Sequence, residues 1–301
     1  VTGLAQAQQQ PAPYELVDLA TPYTAFWDET QKLPTAERVA AFKTRFDKLL
    51  PGYYSIERVT WTTAEKYDAK IARSFAKFPE IRDRFTTATE NFSRLLAPAH
   101  KSFTQTFPDM KPVGPIYLIN SLNEFDGGTR EWGGKARLMF GIDVMVQVHD
   151  YPDETPFFHH ELFHVYHQQF FPGCEEAWCA LWAEGLATLV AHRLNPDATD
   201  AQLLLTSPKP LRPEVERDRK AAVCAVASRL DSKNPDDLGG LFSSGPQIGE
   251  LPPRFGYYVG YLVAEEAAKG RTLMQLAHLD SKAAREVVNA SLKKLASCVS
   301  L

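Results

Sequence analysis

Residues 155–173 read TPFFHHELFHVYHQQFFPG, and their spacing decides how the rest of the chain is read. Thr155 suits a helix N-cap and Pro156 the first helical position. A cap oxygen serves the orphan N–H groups of the first turn, and proline has no N–H to leave unserved. Phe171-Pro172-Gly173 supplies a stop, so the spacing predicts a helix from about Pro156 to about Phe170. Within it His160 and His164 stand four residues apart, on one face and one turn displaced. Phe157, Phe158, Leu162, Phe163 and Val165 flank them with core positions. A buried imidazole without a partner is costly there, and one metal ion would serve both rings. Glu161, beside the pair, is placed to take a proton from the water such an ion activates.

A catalytic zinc site takes three protein ligands and keeps one position open. The third candidate is Glu184, in the run Leu181 to Thr188, LWAEGLAT. There a carboxylate interrupts the most apolar helical stretch of the chain, and an unpaired buried carboxylate is strongly disfavoured. Glu184 therefore expects a cation. Nineteen residues separate it from His164, and Pro172-Gly173 lets the second helix fold back across the first. Ala183, Gly185 and Ala187 are small enough for those two helices to approach closely. His159 and His167 are weaker ligand candidates; His167 reads as a residue behind the site or at the surface. His192 reads as packed or surface, and Thr188 as a helix-packing residue.

HELFH followed by EGLAT resembles the gluzincin metallopeptidases, of which the thermolysin-like proteases share H-E-x-x-H with a downstream glutamate. The second string is also similar to the glutamate motif of the aminopeptidase-N family, W-x-N-E-G-F-A. Trp182, Glu184, Gly185 and Ala187 match it, but the tryptophan stands one place closer and Ala183 replaces the asparagine. Residues 114–148 and 256–261 resemble a family of predicted zinc-dependent proteases of undefined substrate. The resemblance implies zinc held by His160, His164 and Glu184, with Glu161 as general base in peptide-bond hydrolysis. It also implies a tyrosine or histidine that stabilises the oxyanion. Tyr257 and Tyr258, with Tyr261 behind them, are the candidates. The strand near Leu138 to Val144 resembles the edge strand on which such enzymes align a peptide. A zinc-binding protein without turnover, or a hydrolase of non-peptide amides or esters, is the alternative.

Outward from this centre the expected fold is α+β and mainly helical, a zincin-like core with a small antiparallel or mixed sheet. Residues 1–13 read as a disordered tail or signal-peptide remnant, because Ala5-Gln6-Ala7 has a small-x-small pattern and the chain lacks a Met start. Residues 14–111 form a helical N-terminal lobe, with helices over Thr63 to Lys77 and Pro79 to Phe103. Residues 112–301 form the metallopeptidase core. In it Pro115 to Leu122 reads as a strand, Gly133-Gly134 as a turn, and Lys135 to Val148 as one or two strands broken near Gly141. A helix is expected over Glu214 to Leu230 and a loop over Asn234 to Pro253. Helices over Tyr257 to Lys269 and Ala283 to Ala296 follow.

Of the 301 residues 44% are hydrophobic and 23% charged, with a net charge of -4, which argues against a nucleic-acid partner. No apolar run reaches the length of a membrane span. The partner expected is a peptide or protein substrate. Four cysteines allow three pairings, and Cys174–Cys179 with Cys224–Cys298 is favoured because the first two are close in sequence. The N-terminal pattern points to a secreted or periplasmic protein, a setting that permits two disulfides.

Overall fold

Pro79 stands inside a helix, not between two. In the computed structural model, which describes residues 14–298, Ala64–Thr106 is one continuous α-helix of 43 residues. The sequence predicts a break there because proline has no N–H and strands the carbonyl four residues earlier. That carbonyl, on Phe75, instead accepts a hydrogen bond from the Trp27 indole at 3.0 Å. A side chain from another helix thus supplies the donor that proline withholds.

The elements run β1 (Leu16–Asp18), α1 (Ala20–Glu29), α2 (Thr35–Leu49), α3 (Ala64–Thr106), β2 (Ile116–Ile119), β3 (Gly127–Trp132), β4 (Lys135–Gly141) and α4 (Ile142–Val148). There follow α5 (Thr155–His167), α6 (Ala177–Leu194), α7 (Leu211–Arg217), α8 (Arg219–Ala227), α9 (Pro235–Phe242), α10 (Phe255–Ala267), α11 (Leu273–Ala277) and α12 (Ser281–Leu295). The class is α+β and mainly helical, with one small mixed sheet. By packing the chain divides into two units. One holds residues up to 93 together with 111–146; the other holds residues 94–110 together with those from 147 on. The expected tail over residues 1–13 lies outside the described residues.

In the first unit the strand order is β1-β2-β4-β3, with β1, β2 and β4 parallel and β3 antiparallel to β4. The Gly133-Gly134 turn forms as read. Trp132 pairs with Lys135 across it, and the two glycines take φ of 59° and 69°, the left-handed values of a tight hairpin. Two expectations are corrected. Beyond Gly141 the chain is not strand but helix α4. A Cβ on Gly141 would lie 2.0 Å from the Phe125 carbonyl oxygen, so the chain changes direction where no side chain fits. Nor is β4 an edge strand: it is hydrogen-bonded on both sides, and β3 forms the edge. Asp143 of α4 holds the β2–β3 connection, accepting the N–H groups of Ser121 at 2.6 Å and Asn123 at 2.7 Å. The helical side of this unit is aromatic. Tyr23 is fully buried among Phe42, Phe46, Phe75, Phe78 and Phe85, with ring centroids 5.0–6.4 Å away.

In the second unit α10 is the central element, packed against α6, α7, α8, α9 and α12. Phe255, Val259 and Val263 on it are fully buried, each stabilising by roughly 1.5–3 kcal/mol. The single helix expected over Glu214 to Leu230 is two. Asp218 ends the first and caps the second, accepting the Ala221 N–H at 2.9 Å. The loop expected over Asn234 to Pro253 contains α9, opened by an Asn234 cap with Pro235 behind it. Both favoured disulfides, Cys174–Cys179 and Cys224–Cys298, are formed. Among the described residues no helix is long and apolar enough to cross a membrane.

The Trp27–Phe75 contact gives a test by double-mutant cycle. Trp27→Phe should cost about 1–3 kcal/mol, because it leaves a half-buried carbonyl unserved as well as shrinking the side chain. In a Pro79→Ala background, where alanine restores the helical N–H, that cost should shrink by about 1 kcal/mol. Urea unfolding of the four proteins reads the coupling.

Candidate metal centre

Helix α5 begins as the sequence predicts, but one residue differs in role. Thr155 is the first helical residue, Pro156 follows it, and the Thr155 N–H is served by Asp153 Oδ1 at 3.0 Å. His160 is buried (3% exposed) and His164 partly so; their Nε2 atoms lie 3.0 Å apart. Glu184 reaches them from the middle of α6. Its Oε2 is 3.3 Å from His160 Nε2 and 3.4 Å from His164 Nε2. The Glu184 side chain is 23% exposed, so the triangle has an open side.

The size of this triangle fits a metal. Tetrahedral bonds of about 2.0–2.1 Å place neighbouring donor atoms about 3.3–3.4 Å apart. Two imidazole nitrogens and one carboxylate oxygen are a donor set suited to zinc and leave a fourth position free. A second group, Cys174, Glu176 and Cys179, also brings donors together, but its two sulfurs are bonded to each other and so offer no thiolate.

Glu184 is held ionised. Burial pushes its carboxyl upward, but the charge of His164 and hydrogen bonds from both histidines outweigh that, and the net direction is well below the usual carboxylate range. Glu161, next to His160 on α5, is buried at 6% exposure. The structure separates the tyrosines. Burial, then the negative charge of Glu184, push the Tyr257 hydroxyl well above its ordinary range; the charge and a hydrogen bond of Arg254 oppose this without reversing it, and Glu161 adds to the push. Tyr257 thus shares a field with both acidic residues. Tyr258 instead donates to Glu216 at 2.7 Å and accepts from Arg212 at 3.2 Å. Tyr261 donates to Glu265 and lies 2.8 Å from His192.

Tyr257 faces this field because of how α6 and α10 meet. A Cβ on Gly185 would lie 2.2 Å from the Gly260 backbone, and one on Gly260 would lie 2.6 Å from the Leu181 carbonyl. The small residue beside Glu184 therefore serves contact with α10 and not, as its place in the sequence suggests, with α5. Tyr257, one turn before Gly260, is carried to the same face.

The remaining polar residues have structural partners. His159 Nε2 lies 2.9 Å from Ser102 and 3.1 Å from the Ala99 carbonyl, and its Nδ1 is 2.8 Å from Asn195. Thr188 donates to the Glu184 carbonyl within its own helix at 2.8 Å. His167 is buried at 2% exposure, stacked between Phe163 and Phe171, and is not a surface residue. Arg254, at the N-cap of α10, was not singled out in the sequence. Its guanidinium lies 4.6 Å above the Tyr257 ring. A cation just before an apolar helix is its one sequence signal, since the helix N-terminus disfavours positive charge.

Burial, then the charge of His164, push the His167 imidazole down to about 3. Unfolding returns it to about 6.5, so its neutral form contributes stability that is full above that pH and lost as pH falls toward 3. His167→Phe should therefore flatten the decline of the urea midpoint below about pH 6.5.

No protein-family model, curated protein or solved structure matches this chain, so the geometry of these residues carries the functional reading by itself.

Proposed function

We propose that this protein is a zinc metallopeptidase of the gluzincin type, exported to an oxidising compartment. The observation that carries the reading is the His160–His164–Glu184 triangle, of metal-binding size, with Glu161 beside it and Tyr257 in the same field. Two disulfides support the compartment. Zinc, when bound by His160, His164 and Glu184, supplies Lewis acidity at the reacting carbonyl.

The chain's own groups then have distinct tasks. Glu161 accepts a proton from the attacking water and returns it to the leaving amine, the two halves of one acid–base cycle. Its burial excludes competing solvent. The Tyr257 hydroxyl keeps its proton at every working pH, because burial and the nearby carboxylates oppose its ionisation. It is therefore available to donate a hydrogen bond to the oxygen on which charge develops. Tyr258, although adjacent in sequence, is engaged by Arg212 and Glu216 and has a packing role.

Metal analysis of the protein as isolated should find about one zinc per chain, as three ligands imply. Glu184→Ala should lose most of it. Glu161→Gln should keep the metal and lower kcat on a mixed peptide library by about 10²–10⁴. Metal retained with no turnover in the unmutated protein would favour the non-catalytic alternative.

The tyrosines should divide. Tyr257→Phe should lower kcat by about 10² with little change in KM. Tyr258→Phe should lower the melting temperature and leave the pH profile of kcat in place. Equal effects on kcat would remove Tyr257 from the mechanism.

A further inference from the structure

Arg254 occupies an unfavourable place in the fold, held there by the Ser207 carbonyl and by Tyr257 and by no carboxylate among the described residues. Its φ is 71°, a left-handed value that glycine accepts and a branched cationic side chain does not favour. It is the N-cap residue of α10, where the helix presents its positive end. It has no carboxylate partner among the described residues. Arg212, Arg217, Arg219, Arg229 and Arg285 of the same unit each pair with an aspartate or glutamate, whereas Arg254, like Arg271, donates to a backbone carbonyl. What Arg254 does have is position. Its Nη1 donates to the Ser207 carbonyl at 3.2 Å, and its Cζ lies 4.6 Å from the centre of the Tyr257 ring.

Resting on the peptidase reading, we propose that Arg254 is a specificity-determining residue that receives a carboxylate of the substrate beside the scissile amide. A guanidinium offers five N–H donors in a fixed fork, and a carboxylate accepts two of them in parallel. The Ser207 carbonyl and the Tyr257 hydroxyl take part of the fork, and the N–H groups left over can receive a ligand. The Tyr257 ring beneath holds the cation in place. The ring also ties the cation to the centre, because the Tyr257 hydroxyl is the group that senses both Glu184 and Glu161. A bound carboxylate would offset both the unpaired charge and the unfavourable helix end. The same chemistry comes from two sources, a free C-terminus or an acidic side chain, and the experiment separates them. A lysine would supply the charge without the fork.

The test uses two matched peptide pairs, one ending in a free acid or an amide, the other carrying Glu or Gln beside the cleaved bond. The variants are Arg254→Gly and Arg254→Lys. Glycine suits the φ of this position, so Arg254→Gly should fold with a melting temperature at or above that of the unmutated protein. Within each protein the ratio of kcat/KM for acid over neutral peptide is read, so any general loss of activity cancels. We expect a ratio of at least about tenfold for one pair, falling to about one in Arg254→Gly and partly kept in Arg254→Lys. The same ratio is read as equilibrium binding by calorimetry, in a Glu161→Gln background, which needs no turnover. Acid preference that is absent, or that survives Arg254→Gly, overturns the proposal while peptide cleavage leaves the peptidase reading in place. Arg254-dependent binding without cleavage of any peptide supports the carboxylate site and removes the peptidase reading.

Discussion

Helices α6 and α10 touch backbone to backbone where Gly185 meets Gly260. Any side chain at either position would overlap the facing main chain, so the crossing is set by the absence of two Cβ atoms. The places of Glu184 and Tyr257 at the candidate centre follow from it. Glu184 precedes Gly185 and is turned toward α5, where the two histidines wait. Tyr257 precedes Gly260 by one turn and is turned toward Glu184. The arrangement is rigid because α10 is also enclosed by α7, α8, α9 and α12. A site assembled from loops would not hold three donor atoms within a few tenths of an ångström of a tetrahedral edge.

Much of that centre was legible in sequence, for local reasons. The His160–His164 spacing is a property of one helix and needs no tertiary knowledge. Glu184 stood out because a carboxylate inside an apolar run must be compensated. Cys174 and Cys179 are close enough in sequence that their pairing follows from proximity. The hairpin at Gly133-Gly134 is likewise local. What the sequence left hidden is what depends on distant partners. Pro79 looks like a helix break until Trp27 supplies its missing donor. Gly141 looks like a bend within a strand until the Phe125 carbonyl is seen to occupy the space of a side chain. The partner of Gly185 was assigned to α5 because α5 is the neighbour in sequence. Arg254 carried only a faint signal, since its unusual φ cannot be read from residue type.

Polar residues buried away from the candidate centre show the same economy. Asp143 serves two N–H groups of one connection and His159 joins α3 to the end of α6, so each side chain fixes a place that backbone pairing does not reach. His167 differs. Its Nε2 is buried without a hydrogen-bond partner among the described residues, between two rings that serve only its faces. It sits one turn beyond His164, where an aromatic ring fills space well and a charged one does not.

The two disulfides differ in sequence span, five residues against 74. As the chain emerges N-terminus first, Cys174 meets its partner almost at once. At about 5–20 residues per second, Cys224 stands exposed for about 4–15 s before Cys298 follows it. During that interval the thiols it could wrongly join are those of Cys174 and Cys179. Closure of the short loop takes both out of circulation and leaves Cys224 and Cys298 as the remaining pair of the four cysteines.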